Sequence, residues 1–230
     1  MPEGPWIQGQ TWDDLLFVHW RLPESELRAI VPQALPLDTW EGAAWLGITP
    51  FRVTFRLRGT FPVPRLSTFL ELNVRTYVTL DGKPGIYFFS LDAESAIAVE
   101  AARRVYKLPY FRARMSARPV GDWIEYESAR RGGGSALAFR ARYRPIGEVF
   151  QAVPGSLDHF LAERYCLYTV DGEGRVQRAD IHHPPWPLQE AKAEIEENSM
   201  APRGVALPEE APLLRFARRQ DVVIWPLADV

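Results

Sequence analysis

Between residues 71 and 78 the sequence reads Glu-Leu-Asn-Val-Arg-Thr-Tyr-Val. If that run is a strand, alternation places Glu71, Asn73, Arg75 and Tyr77 on one face and Leu72, Val74 and Val78 on the other. A carboxylate, an amide, a guanidinium and a phenol make a set of donors and acceptors that can grip a carboxylate or a carbonyl. On an open sheet such a face is simply the one turned to water. Enclosed in a barrel, it becomes the lining of a polar cavity.

Arginine is suited to anion recognition because its planar fork matches a carboxylate. Arg21 and Arg103 are further candidates, with ion pairs to Asp92, Glu100 or Glu163 as the structural alternative. Glu163 is either a general base or a partner for an arginine. The adjacent His182 and His183 diverge on a strand, so they lack metal-ligand spacing and no metal is expected. The run from His183 to Pro187, rich in proline, reads as a rigid loop lining or covering a pocket. Ser156, Asp158 and His159 have triad residue types, but the sequence has no Gly-x-Ser-x-Gly elbow. Phosphate and dinucleotide fingerprints are missing too, so no cofactor is expected.

The elements that must position these residues are mostly short strands. Alternation marks strands over 11–20, 51–57, 68–80 and 86–91, with a turn at Asp81 to Gly85 between the last two. A short helix opens at Pro23 and another runs from Glu94 to Tyr106, ending near Pro109. Strands follow over 110–118, 123–130 and 136–144 as a meander, with Arg112, Arg114, Glu125, Glu127, Arg140 and Arg142 placed to pair across strands. A proline-rich connection at 61–64 and glycines at 132–134 separate elements. Residues 157–164 read as a helix, 165–170 and 175–181 as a hairpin, and 221–225 as a last strand. Gln189 to Asn198 is acidic with good helix propensity, which predicts a helix, although a strand also fits. The sum is an α+β, mostly β chain: an antiparallel sheet closed into a barrel, with a few short helices.

The chain has 230 residues, 47% of them hydrophobic, enough for one sizeable core, and one domain over 1–230 is expected. A net charge of −2 argues against nucleic acid as a partner. No apolar run approaches the roughly 20 residues of a membrane span, so no membrane partner is expected. The one cysteine, Cys166, cannot form an intrachain disulfide, which fits the cytoplasm. A homo-oligomer remains open.

Six segments in order carry a resemblance to a family: 19–21 (His-Trp-Arg), 69–78, 88–93 (Phe-Phe-Ser-Leu-Asp-Ala), 108–111 (Leu-Pro-Tyr-Phe), 163–168 (Glu-Arg-Tyr-Cys-Leu-Tyr) and 183–188 (His-Pro-Pro-Trp-Pro-Leu). They resemble the YqjF-like family of uncharacterised bacterial proteins, regarded as related in fold to acetoacetate decarboxylase. The turn from Arg103 through Tyr106 to Pro109 is similar to the decarboxylases' Gly-Arg-x-x-Tyr-Gly-x-Pro-Lys-Lys, in which the first lysine forms a Schiff base and the second depresses its pKa. Tyr110 and Phe111 stand where those lysines would be.

That resemblance implies a barrel cavity without the imine-forming group. It makes Arg21, Arg103, Tyr106 and Tyr110 candidate ligand contacts beside Glu71, Asn73, Arg75 and Tyr77. Tyr110 can donate a hydrogen bond but cannot form an imine; alternatively it belongs to an aromatic plug. Lys107 is the substitute nucleophile, provided its pKa falls from roughly 10.4 to near 7. A solvated lysine at a helix C-terminus is the competing role. The expected function is binding of a small carbonyl- or carboxylate-containing molecule. A residual lyase using Lys107 and a barrel filled by its own side chains are the alternatives.

Overall fold

The computed structural model describes residues 2–60, 67–131 and 137–230. The proline-rich connection at 61–64 and the glycines at 132–134 lie outside the described residues. In chain order the elements are β1 (Gln8–Pro23), α1 (Glu24–Arg28), β2 (Ala43–Leu57), β3 (Thr68–Leu80), β4 (Lys83–Ala93), α2 (Ala96–Tyr106) and β5 (Tyr110–Val120). They continue with β6 (Trp123–Arg130), β7 (Ala138–Phe150), α3 (Leu157–Ala162), β8 (Cys166–Val170), β9 (Val176–His182), β10 (Leu188–Asn198) and β11 (Leu213–Asp229).

The strands pair into one sheet that closes on itself twice. One ring runs β1-β2-β3-β4-β8-β9-β11 and back to β1; a second leaves β4 through β5, β6, β7 and β10 to return at β11. Strands β1 to β4 and β11 belong to both rings. Their two faces therefore look into two different interiors. On β3, Leu70, Leu72 and Val74 join a core with Leu16, Leu46, Ile48 and Phe139. Phe69 and Tyr77, from the opposite face, join Phe17, Phe51 and Phe88. Alternation thus persists on β3, but both of its sides are buried from Phe69 to Val78.

The turn between β3 and β4 is tighter than the sequence predicts. Leu80 pairs directly with Lys83, leaving Asp81 and Gly82 as a two-residue loop, both at positive φ (50° and 73°). That is the hairpin connection whose twist matches the flanking strands. Strand β2 also begins eight residues earlier than its clearest alternation, because Ala43 to Pro50 is buried on both faces and, Thr49 aside, carries no polar side chain.

Residues 188–198 are a strand, and the helix expected there does not form. Ala191, Ala193 and Ile195 pack against the second core, while Glu190, Lys192 and Glu194 are exposed. Pairing to β7 sets Glu194 opposite Arg142, with an ion pair of 2.6 Å. Tertiary pairing overrides the helix propensity of the acidic residues. The meander forms, and of its expected charged residues Arg140 meets Glu127 across β6 and β7 at 3.8 Å, while Glu125 pairs instead with Arg118 at 2.7 Å and Arg142 with Glu194 of β10. Being exposed, such pairs each contribute little.

Two helices flank the first ring. Ser95 caps α2, its hydroxyl accepting from the Ala98 N–H at 3.2 Å, and Lys107 ends the helix at φ 52°. At the other end, α3 contributes Leu161 and Phe160, whose ring lies 5.4 Å from that of Tyr77. Among the described residues no helix is long and apolar enough to cross a membrane.

The first ring shuts where β8 pairs in parallel with β4, and Gly85 stands at that seam. A Cβ there would meet Tyr168 Cε2 at 2.6 Å and Cys166 Sγ at 2.7 Å. Gly85→Ala is expected to push β8 outward and cost about 1–3 kcal/mol, the usual range for an overpacked site. Gly172→Ala, where nothing lies within 4 Å, should stay within about 0.5 kcal/mol of the parent. Urea denaturation of both variants checks this; equal midpoints would remove the seam's steric role.

Candidate functional site

Strands β2 and β3 set the depth of a cavity inside the first ring. Their register pairs Gly47 with Arg75, Thr49 with Asn73, Phe51 with Glu71 and Val53 with Phe69. The cavity measures about 390 Å³, and its lining includes Glu71, Asn73, Arg75, Tyr106 and Tyr110. This is within the usual size of a small-molecule site. Its walls are less polar than the 71–77 pattern suggests, because Phe51, Phe69, Leu91, Leu108 and Trp186 face the same space.

Glu71 is buried at 4% exposure and sits roughly halfway along the lining. Its Oε2 accepts a hydrogen bond from the Tyr110 hydroxyl at 3.0 Å. Burial raises the Glu71 carboxyl from its usual value to about 7, although hydrogen bonds from Tyr110 and Asn73 pull it back part of the way. Burial, reinforced by the neighbouring Glu71, pushes the Tyr110 phenol well above its ordinary range, so it remains a donor. Tyr110 reaches this place because β5 starts parallel to β4, with Leu91 opposite Tyr110. Arg103 secures the turn from outside, its Nε donating to the Tyr110 carbonyl at 2.7 Å.

Arg75 lies ~13 Å further along β3 from Glu71, four residues at the rise of a strand. It is 6% exposed, and no carboxylate pairs with it among the described residues. Its Nη2 approaches the Leu161 carbonyl at 3.5 Å, its Nε has no partner, and its carbon Cζ lies 5.3 Å from the centre of the Phe17 ring. Gly47 makes room for it: a Cβ there would meet His19 Cδ2 at 3.1 Å and Arg75 Cγ at 3.2 Å. Arg164, also lining the cavity, is by contrast neutralised by Asp38 at 2.6 Å. Thr49 Oγ1, Asn73 Oδ1 and Trp186 Nε1 join Arg75 Nε as buried polar atoms without a protein partner. Four unsatisfied groups around one cavity form an arrangement that protein interiors normally avoid.

The remaining sequence candidates divide. Tyr77 lies on the expected face, but its hydroxyl is engaged with His19 Nε2 at 2.6 Å and it sits behind the lining. Burial, followed by the charges of Arg75 and Arg215, pushes His19 well below its ordinary value. Tyr106 reaches the cavity from α2 and donates to Gln8 Oε1 at 3.1 Å. Arg21 does not reach it: β1 runs on past the ring, and the side chain is exposed. Arg103 is exposed on the outer side of α2. Asp92 pairs with Arg130 at 2.6 Å and Glu100 with Arg104 at 2.8 Å, so neither is taken by Arg21 or Arg103.

Lys107 is likewise outside, its Nζ 3.7 Å from Asp171 in a surface cleft that also involves Arg103. The chain has only three lysines, Lys83, Lys107 and Lys192, and none lines the cavity. Glu163 makes no arginine pair; it accepts the Trp186 N–H at 3.0 Å and the Tyr165 hydroxyl. That bond fixes the proline-rich loop so that His183 and Trp186 line the cavity as expected. Sequence reasoning misses Thr49, Gln8 and Arg164 as contacts. Only Thr49 carries a signal, since extending the β2 alternation two residues upstream places it beside Asn73.

A family model described as an uncharacterized conserved protein (COG2071), DUF2071, matches residues 9–221. The chain belongs to the DUF2071 family. It is 50% identical over 229 residues to the uncharacterized protein YqjF of Bacillus subtilis (strain 168), covering 99% of this chain and 94% of that one. Among solved structures it is similar to the enduracididine biosynthesis enzyme MppR complexed with pyruvate, at TM-score 0.69 and 14% identity over 100% of this chain and 91% of that one. It is also similar to an acetoacetate decarboxylase-like enzyme from Sphingomonas wittichii RW1, at TM-score 0.66 and 14% identity over 99% and 94% of the two chains. Acetoacetate decarboxylase from Legionella pneumophila matches at TM-score 0.63 and 13% identity, over 100% and 92%. The chain therefore has the acetoacetate decarboxylase-like fold expected from the motifs.

The raised Glu71 makes stability depend on pH in a definite direction. In the unfolded chain the carboxyl ionises near 4.5, whereas in the fold it holds its proton to about 7. The stabilisation is complete below the lower value and is lost as pH rises through the upper one, in total about 3 kcal/mol. Glu71→Gln keeps a polar group beside Tyr110 but cannot ionise, so its urea-unfolding profile between pH 4.5 and 8 should lack this decline. Parallel profiles for parent and variant would show that Glu71 is ionised throughout.

Proposed function

We propose that this protein binds a small molecule carrying a carboxylate or carbonyl inside the first ring, with Arg75 as the counter-charge. The observation that carries this reading is the buried Arg75 guanidinium, which faces a cavity and has no carboxylate partner. Arginine does not relieve burial by losing its proton. An anion in the cavity would supply the missing partner, and the Thr49 hydroxyl and the Trp186 indole N–H can donate further hydrogen bonds to it. Glu71 and Tyr110 would contact the uncharged part of the same ligand. The pyruvate in the MppR complex, a carboxylate next to a ketone, suits this reading by analogy of fold alone.

The rival readings have less behind them. A lyase using Lys107 needs its amine inside the ring, and that amine lies beside Asp171 on the surface. A barrel filled by its own side chains is hard to reconcile with a 390 Å³ space.

Arg75→Met tests the proposal with two readouts. Removing a charge-assisted contact should weaken carboxylate binding by about tenfold to a hundredfold, as read by isothermal titration with pyruvate and short aliphatic acids. The same substitution removes an unpaired buried charge, so the melting temperature without ligand should rise. Unchanged affinity in a folded Arg75→Met protein would take Arg75 out of the site.

A further inference from the structure

The cavity is far longer than a three-carbon acid needs, and its polarity changes along its length. The β2 register places Arg75 opposite Gly47 at the inner end, while Leu57, ten residues along the same strand, lines the opening. At roughly 3.3 Å per residue that is about 30 Å of strand. Of the polar atoms without partners, those on β2 and β3, at Thr49, Asn73 and Arg75, lie in the inner half. Outward from Glu71 the β2 and β3 side chains facing the space are Phe55, Leu57 and Phe69; Gln10 and Gln8 stand beside them on β1, their side-chain oxygens taken up by the Trp12 indole and the Tyr106 hydroxyl.

The opening has an unusual rim. Leu57, Ile97 and Val105 line the cavity yet are 54%, 77% and 52% exposed. Helix α2 supplies two of them, and between them Ala98 and Ala102 line the cavity while Val99 packs into the core. Alanines there leave space between helix and wall. Exposed apolar side chains grouped at the entrance of a deep site mark where an apolar ligand surface emerges.

We infer that the ligand is an amphiphilic monocarboxylate, its head at Arg75 and its apolar tail running under α2 to the rim formed by Leu57, Ile97 and Val105. This rests on the carboxylate reading of Arg75 and adds the tail to it. Glu71 and Tyr110 satisfy each other at the waist of the cavity, so a hydrocarbon chain passes them without breaking a bond to water.

The experiment is isothermal titration of the intact protein at pH 6 with hexanoate, octanoate, decanoate and decan-1-ol. Affinity is expected to rise about fourfold per methylene, roughly two orders of magnitude from hexanoate to decanoate, with decan-1-ol at least tenfold weaker than decanoate. Ile97→Asn with Val105→Asn, at positions already exposed and so compatible with folding, should reduce decanoate affinity at least tenfold. If all three acids bind equally, the tail assignment falls while the carboxylate reading survives. If decan-1-ol matches decanoate, the head assignment to Arg75 falls. If no acid binds, both are overturned.

Discussion

Strand β3 has no free face. Because it belongs to both rings of the sheet, a slip of one residue would drive Glu71 and Arg75 into the core of Leu46, Ile48 and Phe139, and Leu72 and Val74 into the cavity. The apolar side therefore locks the polar side in place. Leu70, Leu72 and Val74 are between 0% and 4% exposed, so displacing them costs far more than the polar face could recover by reaching water. Tyr126 reinforces the lock, its hydroxyl donating to the Glu71 carbonyl from across the second core at 2.8 Å. The cavity groups are thus held by interactions made behind them.

That rigidity explains how unfavourable electrostatics persist. An unpaired buried guanidinium and a carboxyl with its proton retained to about 7 both work against stability. The protein meets the problem at Arg164 by pairing it with Asp38 at 2.6 Å and seating it 4.3 Å from the Phe160 ring centre. It could have done the same for Arg75, which lies beside the same Tyr77 ring. Instead Arg75 has only a long contact to the Leu161 carbonyl and the faces of two aromatic rings. Two neighbouring arginines are thus treated differently, one with a carboxylate partner and one without among the described residues.

Much of this was legible in the sequence, and the failures have physical causes. The period-two pattern from 68 to 80 gave β3 its observed ends, Thr68 and Leu80, because every second residue faces one uniform interior. The pattern could not say that both faces are buried, since that depends on which distant strands cover them. The helix expected at 189–198 failed because Glu and Lys favour helices only until a paired edge offers more; β7 supplied a strand to pair with and Arg142 opposite Glu194. Arg21 and Arg103 carried the right chemistry, yet one lies beyond the ring and the other on the outside of α2. Residue type indicates what a side chain can do, and only topology decides what it faces.

The residue at position 110 ties these observations together. A lysine in this turn would place a nucleophile and a cation halfway along the cavity, next to Glu71. Tyr110 places there a phenol that burial keeps protonated, hydrogen-bonded to the Glu71 carboxyl at 3.0 Å. The waist thereby becomes neutral below about pH 7, and the cavity's net positive charge resides at its inner end with Arg75. Phe111, at the second lysine position, takes no part in the lining and packs 3.9 Å from the guanidinium carbon of Arg130, whose charge is spent on Asp92. Tyr110 and Phe111 thus bring no cation to the middle of the cavity. The charge of the lining is thus confined to the inner end, and aromatic and aliphatic side chains such as Phe55, Phe69 and Leu57 make up much of the rest.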